Sequence, residues 1–190
     1  MRKNGPIYIG RGAAVQEGAM VRGNHVVGDY APINMGTRMR GDSSIGPYAK
    51  VGGEITNSVI HSFSNKCHEG YLGNSVLGSY CNLGADTNVS NLKNTYGAVK
   101  QWSYRQEKLI STGKTFCGAV FGAVYPPKFI PSFSWGGASG LTTYDVTKAI
   151  EVATTVKSRR NLPLTLAERR AMEEIYVRTA IYRQWEKEKV

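Results

Sequence analysis

The sequence predicts an all-β solenoid, a parallel β-helix built from hexapeptide repeats, followed by an irregular segment and two C-terminal α-helices. Three observations carry that expectation. Aliphatic residues recur at every sixth position, small residues stand at a fixed place between them, and glycine crowds the first half of the chain. Counting by six gives Ile9, Val15, Val21, Val27, Ile33, Met39, Ile45 and Val51. Four residues after each stand Ala13, Ala19, His25, Ala31, Thr37, Ser43, Ala49 and Ile55. Of 22 glycines, 15 fall within residues 1–90.

Neither the 3.6-residue period of a helix nor the 2-residue period of an exposed strand yields this pattern. A six-residue unit is one short strand plus one tight turn, and three units close a triangular coil of about eighteen residues, with residue i about 4.8 Å from residue i+18. Ile9, Val27 and Ile45 then stack along one edge of a narrow apolar prism, and Val15, Ile33 and Val51 along another. The small residues let the corners close, and Gly10, Gly28, Gly46 and Gly52 relieve turn strain. A Gly-rich β-sandwich, the plainer alternative, does not call for a fixed phase.

The phase returns at Leu77-Gly78, Leu83-Gly84 and Val89. Between Val51 and Leu77 it breaks, over the string GEITNSVIHSFSNKCHEG at 53–70. Two readings stand: a loop pushed out of the prism, or a shift of register. Residues 1–100 are assigned to the β-helix. Residues 101–142, with Tyr125-Pro126-Pro127 and Phe133-Ser134-Trp135-Gly136-Gly137, are assigned to an irregular segment that wraps the coil or caps its end.

Residues 143–190 read as a helical extension. Thr143 or Asp145 caps a helix to about Arg160, with Val146, Ile150, Ala153 and Val156 on one face. Pro163 separates it from a second helix, which Thr165-Leu166-Ala167-Glu168 opens with a capping box. Met172, Ile175, Tyr176, Thr179 and Tyr182 trace its apolar stripe, expected to pack on the body or on a neighbouring subunit. The pairs Arg159-Arg160 and Arg169-Arg170 read as solvated helix surface in preference to a nucleic-acid contact.

The chain has 190 residues and a net charge of +10. Residues 1–142 hold 14 Lys/Arg against 7 Asp/Glu, so the excess sits mainly in the first part. A basic body attracts anions such as phosphorylated sugars, coenzyme A or nucleic acid, and scattered charge without a nucleic-acid motif disfavours the last. No run of apolar residues is long enough for a membrane span, and the start, Met1-Arg2-Lys3-Asn4-Gly5-Pro6, lacks the apolar centre of a secretory signal. Cys67, Cys81 and Cys117 form an odd set without a Cys-x-x-Cys pair, which favours a reducing, cytoplasmic setting.

A stiff coil offers few concave sites, so the phase break is the place to look for chemistry. Of the three histidines, His25 falls at a regular small-residue position and reads as structural or surface, while His61 and His68 lie in the break. A histidine-held metal of the γ-class carbonic anhydrase type needs a close set of imidazoles. His61 and His68 are seven residues apart and His25 is remote, so no metal is expected. Serine-nucleophile, phosphate-loop and calcium-loop motifs are missing.

The string Lys66-Cys67-His68-Glu69-Gly70-Tyr71-Leu72-Gly73-Asn74-Ser75-Val76-Leu77-Gly78, continued by Asn82-Leu83-Gly84-Ala85-Asp86-Thr87 and Asn91, resembles a known domain. It is the acetyltransferase domain of the bifunctional N-acetylglucosamine-1-phosphate uridylyltransferase/glucosamine-1-phosphate acetyltransferases. The likeness extends back to Arg40 and Glu54. Phe129-Ile130-Pro131-Ser132-Phe133-Ser134-Trp135-Gly136-Gly137 resembles a GlmU-like subgroup of sugar nucleotidyltransferases.

The resemblance implies a left-handed parallel β-helix, a homotrimer with the site between subunits, and acetyl-CoA as co-substrate. It implies His68 as general base toward the amine of glucosamine 1-phosphate, with Glu54 orienting that base. It implies Arg40 and Tyr71 as phosphate ligands, Asn82 and Asn91 toward the sugar, Ala85 beside the thioester, and Lys93 (or Lys100) as a further phosphate charge. A group titrating near neutrality suits the base, and a carboxylate on one ring nitrogen fixes its tautomer. Read without the resemblance, His68 is a loop histidine, Asn82 and Asn91 are ladder or turn asparagines, Arg40 is a corner residue and Tyr71 is a packed aromatic.

The sequence departs from the family at Thr56, where the family has lysine, and at Leu92, where it has tyrosine. Gly118-Ala119-Val120-Phe121-Gly122 leads almost directly to Tyr125-Pro126-Pro127, leaving little room for the family's later coils. The nucleotidyltransferase domain is not in this chain, so uridylyl transfer is not expected of it. Two functions stay open: an acyltransferase, or a non-catalytic β-helix module that serves oligomerisation or regulation beside a sugar nucleotidyltransferase.

Overall fold

The computed structural model describes residues 5–93, 95–120, 127–137 and 139–189, with side chains described except at 117–120 and 187–189. The chain divides into two compact units, residues 1–125 and 126–190. The starting residues 1–4 and the passage from Phe121-Gly122 to Tyr125-Pro126 lie outside the described residues.

Unit one is a parallel β-solenoid of about five coils. The first coil is β1 (Ile7–Ile9), β2 (Ala14–Val15) and β3 (Met20–Arg22), and the second is β4 (His25–Val27), β5 (Pro32–Ile33) and β6 (Arg38–Arg40). The third is β7 (Ser43–Ile45), β8 (Lys50–Val51) and β9 (Glu54–Thr56), and the fourth is β10 (Val59–Ile60), β11 (Asn65–Lys66) and β12 (Tyr71–Gly73). The fifth runs through β13 (Val76–Leu77) and a single bridge between Asn65 and Asn82 to β14 (Val89–Leu92). Three faces result. The first has the order β1-β4-β7-β10-β13 and the second β2-β5-β8-β11. The third runs β3-β6-β9-β12-β14 and ends on β17 (Phe116–Val120), which pairs antiparallel to β14.

The hexad count gives the buried inward residues from Val27 through Val51, while Ile9 and Val15 in the first coil are exposed. Val27, Ile33, Met39, Ile45 and Val51 are at most 1% exposed. Beyond Val51 the structure settles the break as a shift of register, with no loop expelled. The inward positions continue at Ile55, Ile60, Lys66, Leu72, Leu77, Leu83 and Val89, in steps of four, five, six, six, five, six and six. Val15 pairs with Ile33 eighteen residues on, whereas Val51 pairs with Lys66 fifteen on and Leu72 with Val89 seventeen on.

Two residues are lost where Gly52-Gly53 spans a corner that Asn34–Thr37 spans one coil earlier. Glycine is needed at that corner. A Cβ on Gly52 would lie 2.1 Å from the Cys67 carbonyl oxygen, and Gly53 has φ +70. The coil survives the deletion because every inward slot is still filled and the shared axial spacing does not depend on corner length.

One corner carries a feature that the hexad count does not reveal. Tyr30, Tyr48, Phe63 and Tyr80 stack in a continuous ladder with centroid spacings of 5.1, 5.2 and 5.0 Å. All four adopt left-handed backbone, with φ of 57, 59, 64 and 62. Each non-glycine residue there bears a steric cost that the ring stacking offsets.

The stretch expected to be irregular holds regular pairing. β15 (Lys100–Ser103) and β16 (Lys108–Ser111) form one antiparallel hairpin within unit one. In unit two, β18 (Ser134–Gly137) and β19 (Gly140–Thr143) form another. Turn residues of low specificity, Tyr104 to Glu107 in the first hairpin, hid it from pattern reading.

Unit two continues with α1 (Val146–Ser158), capped by Asp145, and α2 (Leu166–Thr179), opened by the expected Thr165/Glu168 capping box. Part of the apolar stripe packs inside its own unit, while Ile175 is exposed. Tyr176 meets Phe133 edge-on at 5.1 Å, Tyr182 meets Phe129 at 5.8 Å, and Thr179 is buried. Beneath it Arg183, 1% exposed, donates to the Tyr176 carbonyl, Thr179 Oγ1 and Glu186. Arg169 pairs with Glu173 at 3.2 Å on the surface of α2. Among the described residues, no helix is long and apolar enough to cross a membrane.

Candidate functional site

The third face of the solenoid collects the charged residues. Alternation along each strand turns Met39, Ile55 and Leu72 inward and leaves Arg38 and Arg40, Glu54 and Thr56, and Tyr71 and Gly73 outward. Strand register then builds two outward rows. One runs Met20, Arg38, Glu54, Tyr71, and the other runs Arg22, Arg40, Thr56, Gly73. The family-derived Arg40, Glu54 and Tyr71 are therefore on adjacent rungs of one face. A Cβ on Gly73 would lie 2.5 Å from Tyr71 Oη, so the phenol lies along its own strand over Gly73.

Glu54 is the centre of an ion-pair cluster. Its carboxylate accepts from Arg40 Nη2 and lies 3.9 Å from Arg38 Nε. Arg38 also pairs with Glu69 at 3.1 Å. Sequence reasoning missed Arg38 and Glu69. The signal for Arg38 was present in the Arg38-Met39-Arg40 alternation, whereas Glu69 enters only through the altered corner length. Beside Arg40, Thr56 Oγ1 is buried with no hydrogen-bond partner among the described residues. Strand register sets Thr56 opposite Arg40.

His68 sits on the corner Cys67–Gly70 between β11 and β12. It is exposed, and among the described residues its imidazole has no hydrogen-bond partner. The partners of Glu54 in this chain are the two arginines, so the structure joins Glu54 to Arg40 and does not join it to His68. Ala85 occupies the same corner one coil later, at the seventeen-residue offset that pairs Leu72 with Val89. Gly70 and Thr87 touch across these two corners, since a Cβ on Gly70 would lie 2.4 Å from the Thr87 carbonyl oxygen.

The remaining expected residues lie elsewhere. Asn82 is exposed on the second face, bridged to Asn65. Asn91 Nδ2 donates to Asn74 Oδ1 at 2.7 Å, which gives it a ladder contact. Lys93 Nζ donates to the Ala98 carbonyl at 3.4 Å, and Lys100 opens β15. His25 is 2% exposed, with Nε2 against the Arg22 carbonyl at 3.2 Å, as a structural corner residue should be. Cys67 and Cys81 are free thiols, and the Cys117 side chain lies outside the described residues. Among the described residues, no group of three or more His, Cys, Asp or Glu could hold a metal ion.

No protein-family model matches the chain. The chain is similar to the bifunctional protein GlmU of Methanococcus aeolicus, with 33% identity over 104 residues. That match covers 50% of this chain and 25% of the relative, so the chain spans about a quarter of the relative's length. The parallel solenoid agrees with that similarity.

Proposed function

We propose that this chain is a hexapeptide-repeat acyltransferase that moves acetyl from acetyl-CoA to the amine of an amino-sugar phosphate such as glucosamine 1-phosphate. The observation that carries the reading is the third face: Arg38 and Arg40 stand one rung from Glu54, and Glu54 one rung from Tyr71. That face offers cations for a phosphate, an unsatisfied hydroxyl at Thr56, and a phenol. His68 takes a proton from the ammonium, the freed amine attacks the acetyl thioester carbon, and as the C–S bond breaks the second amine proton passes to the departing sulfur, so coenzyme A leaves as its thiol. Tyr71 and Arg40 bind the phosphate, Ala85 lies toward the thioester, and Asn82, Asn91 and Lys93 are supplied across subunit contacts of a homotrimer. The setting is cytoplasmic nucleotide-sugar biosynthesis.

The test is coenzyme A release with glucosamine 1-phosphate, wild type against His68→Ala. Equal rates would remove His68 from the mechanism. A second reading, a non-catalytic module beside a sugar nucleotidyltransferase, draws on Glu54 being held by Arg40 and on Leu92 and Thr56 standing where the family has tyrosine and lysine. Calorimetry with acetyl-CoA separates the two, since absence of binding at millimolar ligand favours the module.

A further inference from the structure

The inward column of the second face reads Val15, Ile33, Val51, Lys66 and, one coil on, Leu83. Lys66 alone is charged, and it is 0% exposed. Burial disfavours an ammonium, and desolvation holds the Lys66 pKa below its ordinary value, against the opposing pull of Glu69 and Cys67. An aliphatic residue would fill this slot without that cost, so what the amine touches decides its role.

It touches one corner. Lys66 Nζ donates to the His68 carbonyl at 2.5 Å, and to the Glu69 and Gly52 carbonyls at 3.4 Å each. The same corner is held from the two coils below. Asn34 Nδ2 donates to the Cys67 carbonyl at 3.1 Å. Gly53 lies so close under it that a Cβ would be 2.6 Å from the Gly70 carbonyl oxygen and 3.0 Å from that of His68. The imidazole of His68 has no hydrogen-bond partner among the described residues, so its backbone alone sets where it stands.

We propose that Lys66 is a positioning residue whose buried ammonium grips the carbonyls of His68 and Glu69. It thereby fixes the corner from which the imidazole and the carboxylate paired with Arg38 project. Its catalytic meaning rests on the acyltransferase reading with His68 as base. A base must stand within hydrogen-bond reach of its proton, and a side chain without contacts of its own inherits its precision from the backbone.

The test compares wild type with Lys66→Met, which fills the slot with no donor. The variant is expected to fold with an unfolding midpoint equal to or above wild type. Amide exchange at His68, Glu69 and Gly70 is expected to quicken by about 10-fold or more while Ile60 and Leu72 keep wild-type protection. The kcat for acetyl transfer is expected to fall about 10-fold with the KM for acetyl-CoA unchanged. The NMR titration curve of the His68 imidazole is expected to shift.

Exchange at 68–70 and a His68 titration both matching wild type overturn the proposal. Uniform loosening of the whole coil also overturns it, because that marks a purely structural lysine. A wild type with no acetyl transfer sinks the acyltransferase reading, while exchange and titration still decide the role of Lys66. If Lys66→Met does not fold, wild-type NMR decides. A slowly exchanging Lys66 ammonium coupled to the His68 carbonyl carbon sustains the proposal, and a freely exchanging one overturns it.

Discussion

Glu54→Gln should strengthen phosphate binding on the third face, and the effect has a calculable size. In the free chain the Glu54 carboxylate rests on Arg40 and lies 3.9 Å from Arg38 Nε. A phosphate arriving on Arg40 meets that carboxylate about 5 Å away, one rung along the face. Two unit charges at that separation repel by about 0.8 kcal/mol in water, and a phosphomonoester carries about −1.5 to −2 at neutral pH. Breaking the exposed Arg40–Glu54 pair adds about 0–1 kcal/mol. Removing the carboxylate should therefore tighten phosphate by about 1.2–2.7 kcal/mol, or about 8- to 100-fold. Calorimetric titration with inorganic phosphate measures this. The gain should shrink between ~0.01 M and ~0.15 M ionic strength as screening grows. Equal or weaker phosphate binding by Glu54→Gln would refute the placing of the phosphate on this face.

Three further outcomes follow from the geometry. Tyr48 stacks on Tyr30 and Phe63, so Tyr48→Ala should cost about 1–3 kcal/mol for two lost aromatic pairs. Tyr48→Gly should cost about 1 kcal/mol less because it relieves the left-handed backbone; urea unfolding in which glycine is the worse of the two contradicts the ladder account. Gly53→Ala must place a Cβ 2.6 Å from the Gly70 carbonyl oxygen at φ +70, so a loss of at least about 2 kcal/mol is expected, and a wild-type thermal midpoint would show that the corner can yield. In unit two, Lys157 holds the Glu168 pKa down to about 2 from 4.5, aided by Thr165. A depressed carboxylate stabilises the fold above its unfolded pKa and loses that stabilisation as pH falls toward the folded value. Helix content followed by circular dichroism should decline between about pH 4.5 and 2 in wild type, and the decline should be smaller in Glu168→Gln.

The sequence reading reached the solenoid because a stacked prism repeats one requirement, an apolar inward residue, at a fixed step. It lost the phase after Val51 because corners are not under that requirement. Gly52-Gly53 removes two residues at a corner without emptying a slot. Lys66, the inward residue of β11, is polar and so looked like part of the interruption. The ladder of Tyr30, Tyr48, Phe63 and Tyr80 was invisible to a fixed step for the same reason, since its spacings of 18, 15 and 17 follow the varying coil lengths. In the site, Arg40, Glu54 and Tyr71 were legible from the resemblance, whereas Arg38 and Glu69 needed the register. The hairpin β15/β16 escaped because its connecting residues carry no glycine, proline or asparagine.

The shortened corner and the candidate chemistry coincide for a physical reason. A regular coil of eighteen residues repeats its outward side chains in straight rows, which gives flat faces and no place where unlike groups converge. Strand register sets Glu54 beside Arg38 and Arg40 of the coil before, because Ile55 fills the slot opposite Met39 whatever the corner length. Dropping two residues at Gly52-Gly53 draws the corner bearing His68 and Glu69 down onto the glycines, where Lys66 and Asn34 can reach its carbonyls. The change of coil length thus fastens a corner beside a cluster that register assembles. Restoring the two residues should leave a folded solenoid, since the inward slots would still be filled. It should keep Glu54 between its arginines while lifting the His68 corner off Gly53 and breaking the Asn34–Cys67 hydrogen bond. Stability and the setting of this corner are then separable properties, and an insertion variant that keeps its unfolding midpoint and phosphate affinity yet quickens amide exchange at 68–70 would show them parting.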